Sequence, residues 1–222
     1  MKLCMFSPKD RHLERGWPGR IEGDRVIQLA AQTLQSFFTG GGDAREHADY
    51  ALDVVVLRPP VLHPPSVRIF GRDGDFEFAN PAAIHGPDDI VHLPEGASGI
   101  VPVARLAAIV GADGAIGGYT LMNDWHAPEL SGAKAHDFAT SLGPIVLTPD
   151  ELEVHDADFQ ALFEHAGKNT RLLPGDVIVA PGGSRKEMVK AGDVAEVSLP
   201  PFGVLRNRVG EWGVGQRGDA TS

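Results

Sequence analysis

The chain has 222 residues, which leaves room for one domain or for one domain with a small appendage. Its 20 Lys and Arg residues stand against 30 Asp and Glu residues, and the net charge of −10 argues against nucleic acid or an anionic membrane as a partner. The 27 glycines and 17 prolines favour many turns and short strands over long helices. The sequence therefore predicts a β-rich protein.

The cysteine content and the apolar runs indicate the compartment. A single cysteine, Cys4, cannot form an internal disulfide, and no apolar run approaches the roughly 18 residues of a membrane span. Residues 1–6 are too short for the apolar core of a signal peptide. We therefore expect a cytoplasmic protein without a membrane partner.

The first 58 residues are predicted to form a small N-terminal β/α domain. Residues 2–6 and 23–29 have the composition of short strands, with a turn at Asp24 and Arg25. Leu29 to Phe38 has apolar residues at helical spacing, and the three glycines at 40–42 should end that helix. Residues 49–57 fit either a helix or a strand. Prolines at 59, 60, 64 and 65 then force extended chain, so the domain boundary is placed after residue 58.

Residues 59–213 are predicted to form a second, strand-dominated domain, followed by a flexible tail at 214–222. One helix is expected from Asp156 to His165, with Phe159, Leu162 and Phe163 on one face and Asp156 as its cap. The remaining apolar runs are short and separated by turns, as is typical of strands: 67–70, 90–93, 106–110, 116–122, 145–147, 177–179, 194–199 and 204–208.

The richest local cluster of polar side chains follows the apolar run 116–122. Asn123, Asp124 and His126 come directly after it, and Lys134, His136 and Asp137 lie on the next loop. One interpretation is a functional site. The alternative is a turn capped by Asn123 and Asp124, with histidines that face solvent. The loop 180–183 offers a ligand only backbone groups, at Gly182 and Gly183, and the nine histidines lack the spaced cysteines of a zinc site.

Several segments resemble, in order and spacing, the fumarylacetoacetate hydrolase family over about residues 60 to 210. The resemblance implies a β-rich α+β fold, a mixed β-sandwich roll with a small N-terminal β/α domain, usually dimeric. It also implies enzymes that cleave or decarboxylate β-dicarbonyl acids with Mg²⁺ or Mn²⁺ held by carboxylates. The segments that carry it are Phe78-Ala-Asn-Pro-Ala-Ala-Ile-His-Gly-Pro-Asp-Asp89, Gly118-Tyr-Thr-Leu-Met-Asn-Asp-Trp125, Ala133-Lys-Ala-His-Asp-Phe-Ala-Thr-Ser-Leu-Gly-Pro144 with 148–152, and Leu173-Pro-Gly-Asp-Val-Ile178 through 203–209.

The chain departs from the family pattern at the residues that carry chemistry. Two positions that hold metal carboxylates in the family are occupied by Val103 and Arg105, while the third ligand is retained as Asp124 and the neighbouring lysine as Lys134. The segment with the family's usual catalytic histidine is missing after residue 67, and the substrate loop is cut back to residues 180–183. One carboxylate is too few for a divalent site of this class, so no Mg²⁺ or Mn²⁺ cofactor is expected.

Arg105 suggests a replacement for the missing cation. Its guanidinium can reach Asp124 if the strand register is kept, and Lys134 would then add a second positive charge. The alternative is that Arg105 points outward and Asp124 pairs with Lys134 or with a backbone N–H.

Three functions are compatible with this pattern. The first is a metal-independent enzyme acting on a small oxo acid or enolisable ketone. Its catalytic residues would be Asp124, Lys134, Arg105, His126 and His136, with Asp137, Asn123, Gly182 and Gly183 binding substrate. The second is a catalytically silent homologue that binds a small carboxylate or a partner subunit, and the third is the ordinary Mg²⁺-dependent activity, which the loss of two ligands opposes. A homodimer is expected from the resemblance.

Overall fold

A computed structural model describes residues 1–152 and 158–212. The N-terminal part is a set of antiparallel strands with one short helix. Its elements are β1 (Lys2–Pro8), β2 (Trp17–Glu22), β3 (Arg25–Leu29), α1 (Leu34–Thr39), β4 (Glu46–Ala51), a 3₁₀ turn (Leu52–Val54) and β5 (Val55–Arg58).

The rest of the described chain is dominated by strands. Its elements are β6 (Val67–Phe70), β7 (Phe76–Ala79), β8 (Ile84–His85), β9 (Ile90–His92), β10 (Val103–Val110), a 3₁₀ turn (Ala112–Gly114), β11 (Ile116–Asp124), a second 3₁₀ turn (Gly132–Ala135), β12 (Thr140–Leu147), α2 (Phe159–Gly167), β13 (Val177–Val179), β14 (Ser184–Arg185), β15 (Val194–Ser198) and β16 (Val204–Gly210).

Most strands belong to one large mixed sheet. Within the described ranges its main path runs β4-β3-β2-β1-β12-β11-β10-β13-β6-β7, with β5 on β1, β8 on β12 and β14 on β10. A second sheet has the order β15-β16-β9. The pairs β12–β8, β13–β6 and β16–β9 are parallel and the others antiparallel. The β-rich fold class predicted from composition is confirmed.

The two helices begin later than the sequence pattern predicts. Leu29 is the last residue of β3, which pairs with β2 and β4, and Thr33 caps α1 in a capping box with Ser36. Asp158 caps α2 by accepting from the backbone N–H of Ala161, whereas the predicted cap, Asp156, lies outside the described residues. None of the described helices is long and apolar enough to cross a membrane.

The sequence did not predict several strands, and one of them, β7, belongs to the hairpin that borders the site described below. The segments β2, β7, β8 and β14 are short or interrupted by glycine, proline and charge. Residues 49–57 are extended on both sides of a 3₁₀ turn, so the strand alternative was right. The domain boundary after residue 58 stays a prediction, and so does the tail, which lies outside the described residues; β1 pairs directly with β12 and β5 within the same sheet.

Candidate functional site

The central strands place Arg105 and Asp124 on one face of the large sheet. On that face Ala107, Met122 and Leu142 belong to a buried apolar cluster. Because alternate residues of a strand share a face, Arg105, two residues before Ala107, and Asp124, two residues after Met122, continue this face beyond the cluster. The register pairs Arg105 with Met122, so the two charged side chains lie diagonally across β10 and β11.

Arg105 and Asp124 form a close ion pair. Arg105 Nε donates to Asp124 Oδ2 at 2.8 Å, and Arg105 Nη1 donates to the carbonyl oxygen of Gly182. The Arg105 side chain is 19% exposed and the Asp124 side chain 5% exposed, so the pair is largely removed from solvent. A carboxylate buried to this degree requires a compensating charge. The predicted pairing is confirmed, and the alternative of an outward-facing Arg105 is wrong.

The glycines of the loop between β13 and β14 let that loop pass close over Arg105. Gly183 has φ +129°, and a Cβ atom there would lie 3.0 Å from the carbonyl oxygen of Ala104 and 3.1 Å from Arg105 Cγ. A side chain at this position would therefore disturb both the backbone and the guanidinium. Gly182 contributes its carbonyl oxygen to Arg105, whereas the predicted contact of Gly182 and Gly183 with a ligand stays a prediction.

Two histidines extend the pair into a line of polar groups. His136 Nδ1 lies 3.6 Å from Asp124 Oδ1, and His136 Nε2 lies 3.2 Å from His126 Nδ1. The Asp124 carboxylate raises the pKa of His136, an effect that partial burial opposes. The pKa of His126 is lowered, first by partial burial and then by the charges of His136 and Arg185. The two imidazoles therefore differ in their tendency to hold a proton.

The other predicted site residues lie around this line without joining it. Lys134 is 78% exposed and its Nζ donates to Asp137 Oδ2 at 2.7 Å, so it does not supply the expected second positive charge beside Asp124. Asn123 is buried, and its Oδ1 accepts from the backbone N–H of Val103 at 2.9 Å. Asn123 thus links β11 to β10 through a hydrogen bond between its side chain and the backbone of Val103.

An open cavity of about 570 Å³ lies against the ion pair. Arg105, Asp124, His136 and Gly182 form one wall, and the β6–β7 hairpin forms the other. A second cavity of about 540 Å³ is bordered by both histidines, Asp137 and Glu77. The sequence predicts the first strand of this hairpin but not its place at the cavity, because the turn residues at 71–75 carry no motif.

Comparison with known proteins identifies the fold. No family model matches the chain. Maleylpyruvate hydrolase from Sphingobium sp. SYK-6 superposes with a TM-score of 0.77 at 20% identity, covering 96% of this chain and 100% of that protein. 5-Carboxymethyl-2-hydroxymuconate delta-isomerase from Mycobacterium smegmatis gives a TM-score of 0.75 at 24% identity, with 96% and 100% covered. These proteins belong to the fumarylacetoacetate hydrolase family. The chain has the fold of that family.

A curated relative supports the same assignment by sequence. 2,4-Didehydro-3-deoxy-L-rhamnonate hydrolase from Sphingomonas sp. (strain SKA58) is 27% identical over 180 aligned residues, covering 59% of this chain. The match spans 63% of the length of that relative. The resemblance to the fumarylacetoacetate hydrolase family drawn from the motifs is confirmed. The Sphingobium hydrolase has also been crystallised with manganese(II) and pyruvate.

The residues at the positions that the resemblance assigns to metal ligands do not fit a divalent cation bound by oxygens. Asp124 presents one oxygen to the Arg105 guanidinium, and Val103 offers no donor at the other position. Across residues 1–152 and 158–212, no group of three or more His, Cys, Asp or Glu side chains is arranged to hold a metal ion. A guanidinium beside the carboxylate also repels a second cation.

Proposed function

We propose that this protein binds a small oxo acid or enolisable ketone in the cavity beside Arg105 and acts on it without the divalent metal of the fumarylacetoacetate hydrolase family. The observation that carries the proposal is the Arg105–Asp124 ion pair at the wall of an open cavity of about 570 Å³, with His136 beside it. The reaction class would be hydrolase, lyase or decarboxylase chemistry, each of which passes through an enolate.

Arg105 has a suitable geometry for this role. Two of its N–H groups are donated to Asp124 and to the carbonyl oxygen of Gly182, which fixes the plane of the guanidinium. The outer Nη2 group is then the part that a ligand in the cavity would meet. A preorganised cation of this kind stabilises negative charge that develops on an enolate oxygen, because it needs no reorientation during the reaction.

The line from Asp124 through His136 to His126 supports proton transfer. His136 borders the same cavity as Arg105, and its two ring nitrogens face Asp124 and His126. Protonation of one imidazole and not the other gives an acid and a base in contact near neutral pH. We propose that the ligand takes the place of His126 at His136 Nε2 and exchanges a proton with that nitrogen, while Asp124 favours the proton on Nδ1.

The positions of the apolar side chains near the site favour an enzyme over a catalytically silent homologue. A site that has lost its chemistry would be filled by the neighbouring apolar side chains. Here Met122, Trp125 and Ile145 are instead buried in three separate core clusters, and the cavity beside Asp124 is open. Homodimer formation and a cytosolic location stay predictions; light scattering after size-exclusion chromatography would test the first.

Titration calorimetry with oxalate, a mimic of the enolate of pyruvate, tests the proposal. We expect oxalate to bind in the presence of EDTA and the binding to be lost in Arg105→Met. The control is Arg25→Met, which breaks an exposed Arg–Asp pair on β3 and should leave the affinity unchanged. Binding that requires added Mg²⁺ would refute metal independence. Absence of binding with and without Mg²⁺ would favour the catalytically silent alternative.

A further inference from the structure

We propose that His126 and His136 form a binding site for a transition metal ion of the class that prefers imidazole nitrogen: Zn²⁺, Ni²⁺ or Cu²⁺. The site is distinct from the oxygen-ligand position of the fold family, because it uses ring nitrogens on the far side of His136 from Asp124. It does not depend on the proposed oxo-acid chemistry, and it can be tested with the metal alone.

The spacing of the two ring nitrogens matches that of two ligands on one ion. His126 Nδ1 and His136 Nε2 are 3.2 Å apart. Imidazole nitrogens bind such ions at roughly 2.0–2.1 Å, which separates two neighbouring ligand atoms by about 3–3.4 Å. The side chains therefore need little movement to hold a metal between them, and the cost of ordering them is already met by the fold.

The orientation of the rings supports the same conclusion. Two imidazoles joined by an in-line N–H···N hydrogen bond of this length would have ring centroids about 5.5 Å apart. The centroids of His126 and His136 are 4.6 Å apart, with 31° between the ring planes. The contact is therefore bent, and a bound ion would replace the hydrogen bond between the two nitrogens by one bond to each of them.

Asp124 prepares His136 as a ligand. The carboxylate oxygen Oδ1 lies 3.6 Å from Nδ1 and favours a proton on that nitrogen, which leaves the lone pair of Nε2 available. A carboxylate behind the non-ligating nitrogen of a metal-bound histidine is a recurrent arrangement, and it increases the basicity of the ring. Arg105 holds Asp124 in place from its other oxygen.

The surroundings leave room for the remaining ligands. Both histidines border the cavity of about 540 Å³, together with Glu77 and Asp137. Since the described residues contain no preformed group of three ligands, water or an added anion would complete the coordination. Two nitrogens without a carboxylate cage select Zn²⁺, Ni²⁺ or Cu²⁺ over Mg²⁺, which prefers oxygen.

Titration calorimetry with NiCl₂ and with ZnCl₂ on the untagged full chain tests the site. We expect one ion per chain, no competition from a hundredfold excess of Mg²⁺, and at least tenfold weaker binding in His126→Asn and in His136→Asn. His165→Asn is the matched control, because His165 is a half-exposed histidine on α2 that faces Asp75, and it should change the affinity less than twofold.

A second measurement on the unaltered protein guards against misfolded variants. In an NMR spectrum that reports the ring nitrogens, Zn²⁺ should shift Nδ1 of one histidine and Nε2 of another, with the other histidines unaffected. The proposal is overturned if no saturable binding occurs up to 1 mM metal, or if both Asn variants bind as tightly as the parent chain. Either result would leave the binding of oxalate untouched and would thus be distinguishable from failure of the proposed function.

Discussion

Removal of the cation from the buried ion pair should destabilise the fold measurably. In Arg105→Met the Asp124 carboxylate, 5% exposed, loses the donor at 2.8 Å. Breaking a buried pair from one side costs about 3–5 kcal/mol, because the remaining charge is left uncompensated. Arg105 is partly exposed and His136 lies 3.6 Å from the other oxygen of Asp124, so we expect about 2–3 kcal/mol. With a slope of about 2–3 kcal/mol per molar urea, the unfolding midpoint should fall by roughly 1 M.

The double variant Arg105→Met, Asp124→Asn separates the charge from the packing. Its neutral amide needs no cation, so at least half of the lost stability should return. Urea unfolding followed by tryptophan fluorescence, to which the buried Trp125 contributes, measures both variants. Arg25→Met is the matched control, and its exposed pair should matter far less. The reasoning is refuted if Arg105→Met shifts the midpoint no more than Arg25→Met, or if the double variant is less stable than the single one.

Three further outcomes follow from burial and register. Burial raises the pKa of the Cys4 thiol to about 12, so Ellman's reagent at pH 8 should label Cys4 in the unfolded chain but not in the folded chain. Labelling of the folded chain within minutes would contradict this expectation. Burial lowers the pKa of the His85 imidazole below its ordinary 6.5, so on acidification the unfolded chain binds a proton at this residue before the folded chain does. The free energy of unfolding should therefore fall as the pH drops below about 6.5. His85→Gln should reduce that fall, and an unchanged pH profile of stability in the variant would contradict this role of His85. The double variant Val103→Glu, Arg105→Glu should bind Mg²⁺ detectably by calorimetry, and the further substitution Asp124→Asn should abolish that binding. A double variant that does not bind Mg²⁺ would count against the assignment of positions 103 and 105 to the family's metal ligands.

The sequence predicts the bounds of a strand best where a run of apolar residues covers the whole strand. The runs at 67–70 and 177–179 are strands with the predicted bounds, because both lie inside the sheet and consist of apolar residues, interrupted only by the buried Arg68. The helix predicted from Leu29 begins only at Leu34, because Leu29 ends a strand. A strand that ends in apolar residues and a helix that starts with them produce the same sequence pattern. Only the Thr33–Ser36 capping box separates the two, and its signal is local.

The sequence predicts those contacts of the site that follow from the alternation of side chains along paired strands. It does not predict the contacts that depend on how a loop folds back onto the site. Arg105 and Asp124 meet because alternate residues of paired strands share a face. Lys134 was expected beside Asp124, but a partner three residues along the chain, Asp137, is nearer to its ammonium group. The contact between His126 and His136 depends on the fold of the loop between β11 and β12, and no spacing rule for strands or helices covers it.

An arginine at position 105 determines what the fold requires as well as what the site can do. Carboxylates gathered around an absent metal repel one another, so a site of that kind couples stability to metal binding. Here one carboxylate, one guanidinium and one imidazole compensate each other without an added ion. The apolar cluster of Ala107, Met122 and Leu142 lies behind them on the same sheet face, so its packing does not depend on the charges beyond it. The folded core therefore does not require a metal ion at Asp124, and Arg105 and His136 are the groups that a ligand in the cavity would meet.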